Sequence, residues 1–170
     1  MRKFKNKKGL TLVEMLVCVL TLILVGAICA TGTGISIKSY QESRFESNSQ
    51  MLQASVEAVL SDILRYAANI EVAEDGTVAT FDSLDYGMID GNVFVTDQGE
   101  FAIRRNPNPS EPTKLMLTHN AYAKDLYVEG FTLKYDLGMK KFEGTYIIKS
   151  KVMPDKPGKT CTFSYRTIID

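Results

Sequence analysis

Hydrophobic and polar positions divide the chain into stretches of different period. Residues 15–35 hold no charged side chain; Glu14 precedes this apolar run, and before it comes a leader with Arg2, Lys3, Lys5, Lys7 and Lys8 and no acid. From residue 37 to residue 70 neither Pro nor Gly occurs. Leu52, Val56, Val59, Ile63, Ala67 and Ile70 recur there at steps of three and four, with Leu60 and Leu64 widening the stripe. That period predicts an amphipathic helix. Residues 36–48 are more polar and are expected to stand clear of any globular part. A helix from residue 10 to about residue 69 would be about 90 Å long at 1.5 Å per residue.

Beyond Glu71 the period shortens. Turn formers at Glu74-Asp75-Gly76, Asp90-Gly91-Asn92 and Asp97-Gln98-Gly99 separate short apolar-rich runs at 78–81, 93–96 and 101–104. These predict strands, the last two joined as a hairpin. Three prolines in Asn106-Pro107-Asn108-Pro109-Ser110-Glu111-Pro112 predict a surface loop, and Met116 and Leu117 close the next short strand. Further on, Phe131, Leu133 and Tyr135 alternate with polar residues, and after the turn at Asp136-Leu137-Gly138-Met139 so do Phe142, Tyr146 and Ile148. A third run, after Pro154-Asp155-Lys156-Pro157-Gly158, places Cys161, Phe163, Tyr165 and Ile169 on one face. This is the pattern of a three-stranded antiparallel meander with one face on the helix around residues 56–67. The expected class is α+β: a lollipop whose long helix is membrane-embedded in its first half and packed on an antiparallel sheet in its second.

The apolar run is long enough to cross a bilayer, since about 20 helical residues span the hydrocarbon core. Its cationic flank places the N-terminus in the cytoplasm and the remainder outside. A secretory signal would have a shorter apolar core and a small-residue cleavage site, and Ala27-Ile28-Cys29-Ala30 is a poor one. A lipoprotein signal fails as well, because Cys18 follows Val17 and Cys29 follows Ile28. Two residues stand out against that background. Gly9, bare of a side chain, lets a protease approach its carbonyl just before the run. Glu14 is an acid at the edge of a membrane segment, where acids cost a few kcal/mol and mark function.

Lys8-Gly9-Leu10-Thr11-Leu12-Val13-Glu14 resembles the class III signal of type IV prepilins and type II secretion pseudopilins. The resemblance implies that a prepilin peptidase cuts between Gly9 and Leu10, that Leu10 becomes the N-methylated N-terminus, and that Glu14 serves filament assembly. A neighbouring subunit's terminal amine would pair with Glu14 and relieve its cost in lipid. The implied divisions are a cleaved leader at 1–9, a transmembrane and filament-core helix at 10–35, its amphipathic continuation at 36–70 and a β-rich head at 71–170. Implied partners are the peptidase, other pilins or pseudopilins, a membrane assembly platform with its ATPase, and the bilayer. Asp62-Ile63-Leu64-Arg65-Tyr66-Ala67 resembles the end of the helix in J-type minor pseudopilins and their competence relatives, which points to a minor subunit of a pilus, competence pilus or secretion pseudopilus. Many pilins bend the helix at a proline that would fall at Thr31; here Gly26, Gly32 and Gly34 would either take that role or serve close packing between membrane helices. The competing reading is a signal-anchored extracellular binding module that keeps its leader and forms no filament.

Charge and composition narrow the field further. Of twenty Lys and Arg, five lie in the leader, leaving fifteen against twenty Asp and Glu, so the processed chain is mildly acidic and direct nucleic-acid binding is not expected. Arg104-Arg105 is too small a patch to change that. Cys18 and Cys29 lie about 16 Å apart along a helix, too far to bridge, which leaves Cys161 alone in the head, expected as a buried thiol with an intermolecular bridge as the alternative. A single His119, placed in an exposed loop, and the absence of nucleophile-elbow, P-loop or C-x-x-C patterns argue against an enzyme, a cofactor or a histidine metal site. Asp75, Asp82, Asp85 and Asp90 match no EF-hand spacing and are expected to serve turns rather than Ca²⁺.

Overall fold

The computed structural model describes residues 11–105 and 113–168. Among the described residues one α-helix, α1, runs over Leu12–Arg65. The chain divides into two compact units, Met1–Arg44 and Phe45–Asp170. In the first, every described residue through Tyr40 is exposed. The helix there has a mean hydropathy of 2.7 over its most apolar window, none of it buried, which is long and apolar enough to cross a membrane. Hydroxyls in this stretch bond to the preceding turn, as polar groups must where water is absent: Thr21 Oγ1 donates to Cys18 O (2.8 Å), Thr33 Oγ1 to Ala30 O (2.9 Å) and Ser36 Oγ to Gly32 O (2.9 Å). The helix is unbroken through Gly26, Gly32 and Gly34.

The second unit is α+β. Phe45, Ser49, Leu52, Val56, Leu60, Ile63 and Leu64 form the buried stripe of α1, at the three- and four-residue steps of a helix with one covered face. The covered face therefore begins at Phe45, inside the stretch expected to stand clear. Lys156 lies over the Phe45 ring (5.0 Å) and Lys159 reaches Glu46 (3.7 Å), so the start of the last strand and the loop before it hold the helix there. At the other end α1 stops at Arg65 rather than continuing to residue 69 or 70. The Arg65 carbonyl, which has no helical partner at a terminus, accepts from Ile168 N (2.9 Å). Asn69 has φ 49°, incompatible with helix, and Ala67–Val72 forms strand β1.

Two antiparallel sheets follow, where one was expected. The first has the order β1-β2-β3-β4-β5, with β2 Val78–Ser83, β3 Met88–Val95, β4 Phe101–Arg104 and β5 Lys114–Leu115. Val95 pairs with Phe101 across the Asp97-Gln98-Gly99 turn, as the hairpin predicts. The second is the predicted meander: β6 Leu126–Asp136, β7 Lys141–Ser150 and β8 Lys159–Arg166, in that order. The loop at 106–112 and Ile169 lie outside the described residues.

Aromatic rings join the two sheets and the helix. Phe101 of β4 meets Tyr146 of β7 edge-on at 5.3 Å and Phe131 of β6 at 5.1 Å, and Phe81 of β2 lies 6.0 Å from Phe142 of β7. Tyr165 Oη of β8 donates to the Glu57 carbonyl of α1 (3.0 Å). Each fully buried side chain of this size contributes roughly 1.5–3 kcal/mol.

Candidate functional site: the start of the apolar helix

Thr11 is the N-cap of α1. Its carbonyl accepts the first helical bond, from Met15 N (3.1 Å). The N–H groups before Met15 have no helical partner of their own, and here the side chains supply one. Glu14 N donates to Thr11 Oγ1 (3.3 Å), and in return Thr11 N and Thr11 Oγ1 both donate to Glu14 Oε2 (2.8 Å each). This reciprocal arrangement is a capping box. It also places the carboxylate at the positive end of the helix dipole.

The acid singled out by the sequence thus has a partner within its own chain. Glu14 is engaged by Thr11 three residues away, whereas the sequence reading assigned it only to a neighbouring subunit's amine. Thr11 was missed as a functional residue, although the Thr-x-x-Glu spacing directly before an apolar run carries the signal. Gly9, Leu10 and the leader cations Arg2, Lys3, Lys5, Lys7 and Lys8 lie outside the described residues.

In the second unit the singled-out residues have local partners. Asp75 accepts from Thr77 N (2.9 Å) and Thr77 Oγ1 (2.8 Å) and so closes the β1–β2 turn. Asp82 accepts from Asp90 N (2.8 Å) and Asn69 Nδ2 (2.7 Å). Those bonds hold both carboxyls below the usual carboxylate range, the main-chain donors contributing most. Asp85 lies in the short 3₁₀ turn Leu84–Tyr86. Among the described residues no three His, Cys, Asp or Glu side chains gather as a metal would require. His119, 70% exposed, is more than a free loop residue: its Nδ1 lies 2.6 Å from Oε1 of the largely buried Glu100. Cys161 is buried, and that burial pushes its thiol pKa up.

Five of the six positions of the Asp62-to-Ala67 string have a structural task, and Tyr66 is exposed. Asp62 accepts from Tyr86 Oη (2.8 Å), Ile63 and Leu64 are buried, Arg65 ends the helix and Ala67 opens β1. Arg104 lies over the Phe94 ring (4.9 Å). Comparison with protein-family models, with curated proteins and with solved structures finds no match to this chain.

Proposed function

We propose that the chain is a prepilin-class subunit with a pilin-like fold. On this reading it is a minor pilin or pseudopilin, cut between Gly9 and Leu10, N-methylated at Leu10 and assembled through its N-terminal helix into a type IV pilus, competence pilus or secretion pseudopilus. The observation that carries this reading is the motif Lys8-Gly9-Leu10-Thr11-Leu12-Val13-Glu14 set directly before a helix whose residues 15–35 are uncharged. Support also comes from the helix starting at Leu12 with Thr11 as its cap, just past the proposed cleavage bond.

The mechanism is assembly rather than catalysis. With the leader present, Glu14 shares its negative charge with the Thr11 donors and the helix terminus. Removal of the leader creates an amine at Leu10, and a cationic partner for Glu14 then becomes available within the chain or from a neighbour. Pairing lowers the cost of the acid in an apolar surrounding. The platform and its ATPase would extract the helix to pack among other pilin helices, with the head outside the cell.

The test is co-expression of the full chain, or its Glu14→Leu variant, with its partner pilins, platform and ATPase. Wild type is expected in the sheared-fibre fraction, and the variant is expected to stay in the membrane at wild-type abundance. Fibres that incorporate the variant as well as wild type would contradict the role of Glu14.

A further inference from the structure

The second unit carries an exposed apolar pole where α1 ends. Among the described residues this unit exposes eight large hydrophobic side chains; Met51 and Val152 lie elsewhere, and the other six are Tyr66, Leu84, Ile89, Leu137, Met139 and Ile168. Backbone pairing gathers these six. Ala67 pairs with Ser83, so Tyr66 stands beside Leu84, and Ser83 pairs with Met88, which leads into Ile89. From the other side Ile168 N donates to Arg65 O (2.9 Å), and Thr167 N donates to Lys140 O (3.0 Å), so the β6–β7 turn with Leu137 and Met139 lies next to Ile168.

The six are between 41% exposed, at Tyr66, and 83%, at Leu84. Taken at about 200 Å² per side chain this is roughly 700 Å² of apolar surface, more than the 300–600 Å² of the largest patch on a typical monomer. Charge divides the pole in two. The half around Met139 and Ile168 carries Arg65, Lys140, Lys141 and Arg166 against Asp136 and Glu143. The half around Leu84 and Ile89 carries Asp62, which accepts from Tyr86 Oη, with Asp82, Asp85 and Asp90, against Arg105. One half is therefore basic and the other acidic, with Tyr66 between them.

We propose that this pole binds the same pole of a second copy of the chain, as an isologous pair. Charge selects that occupant. An anionic surface such as a lipid headgroup layer would repel the acidic half, and a uniformly apolar partner would leave both halves unanswered. A two-fold rotation about an axis near Tyr66 instead sets each basic half on an acidic half, twice over, while the apolar side chains meet between them. The area also fits, since two such patches bury roughly 1,400 Å², inside the 1,200–2,000 Å² of specific interfaces. Within this unit α1 runs from Phe45 to Arg65, about 30 Å. Paired poles therefore leave both points of chain entry on the far sides, and the contact joins copies held on separate surfaces. The inference concerns the second unit alone and holds whether or not the chain enters a filament.

The experiment uses the full-length chain in lipid nanodiscs, one copy to a disc, so that the apolar helices stay in separate bilayers and discs associate only through the second units. Sedimentation reads the pairing. Wild-type discs are expected to pair with a Kd of about 1 µM or tighter. Arg166→Glu and Asp85→Arg each set like charges against one another in a symmetric pair, and each is expected to weaken pairing about tenfold. Mixed together, Arg166→Glu discs and Asp85→Arg discs are expected to pair within about threefold of wild type, because both contacts are then between opposite charges. Wild-type discs that stay single up to about 100 µM, far above the range of specific interfaces of this size, would overturn the proposal. So would charge variants that pair as tightly as wild type, or a mixture no better than its components. Equal association of wild-type discs with protein-free discs would overturn it too, since the pole would then be taking lipid.

Discussion

At the scale of single residues, Thr11 and Glu14 show how one side chain answers two demands. A carboxylate at the start of an apolar helix is costly in isolation, yet the same position is where a helix most needs an acceptor for its free N–H groups. The Thr11 hydroxyl and main-chain N–H both reach Glu14 Oε2, so the acid serves as a cap inside its own chain. Thr11→Ala is expected to speed amide exchange at Glu14 about fivefold, the usual effect of losing an N-cap, with Thr11→Ser close to wild type. Exchange at Glu14 unchanged by the alanine would show that the cap does not hold the helix start. Buried residues obey the same accounting of polar groups. Phe101 N, on the β4 edge turned away from β3, donates to Tyr122 Oη (2.7 Å).

At the scale of elements, the β6–β8 meander depends on one position without a side chain. A Cβ on Gly144 of β7 would collide with the Thr132 carbonyl and with the Phe163 ring, one on each neighbouring strand. Gly144→Ala is therefore expected to destabilise the head by about 1–3 kcal/mol or more through overpacking, read as a lower denaturant midpoint at unchanged slope. A midpoint equal to wild type would mean the strands move apart freely. The meander was legible in the sequence because its alternation is regular: Phe142, Tyr146 and Ile148 all fall on the buried face. The helix stripe was legible for the same reason, from Leu52 to Leu64. Ala67 and Ile70 misled because they continue the helical spacing by coincidence, while the deciding facts, the positive φ of Asn69 and the pairing of Ala67 with Ser83, depend on distant chain. Phe45 misled in the opposite sense. It sits in a polar stretch, and its burial depends on Lys156 from a loop more than a hundred residues away. That the strands before the meander form a separate five-stranded sheet could not be read, since whether short strands share a sheet is set by long-range pairing. At the N-terminal site the motif singles out Glu14 but not Thr11, whose part emerged only with its bonds to Glu14.

At the scale of the whole molecule, the head is closed by aromatic side chains whose hydroxyls must stay protonated. Burial pushes the Tyr122 phenol up to about 12, and Tyr165 likewise to about 12. An unfolded tyrosine ionises near 10. Their stabilisation is therefore complete below pH 10 and is lost as pH rises from about 10 toward 12, where the unfolded chain releases protons that the folded chain retains. For Tyr122 alone the loss is about 2–3 kcal/mol. The thermal midpoint is expected to be flat from pH 7 to 9 and to fall above pH 10, with Tyr122→Phe falling less steeply. A midpoint that holds through pH 11.5 would contradict the burial of these phenols.

The same molecule, seen end to end, is a helix able to cross a membrane followed by an α+β unit, and its proposed identity rests on what happens at one peptide bond. The most direct test is the intact mass and N-terminal sequence of the membrane-extracted chain, made with and without a prepilin peptidase. A chain that begins at N-methylated Leu10 only when the peptidase is present is the result the account predicts. A chain that still begins at Met1 beside an active peptidase would contradict it and leave a signal-anchored extracellular module.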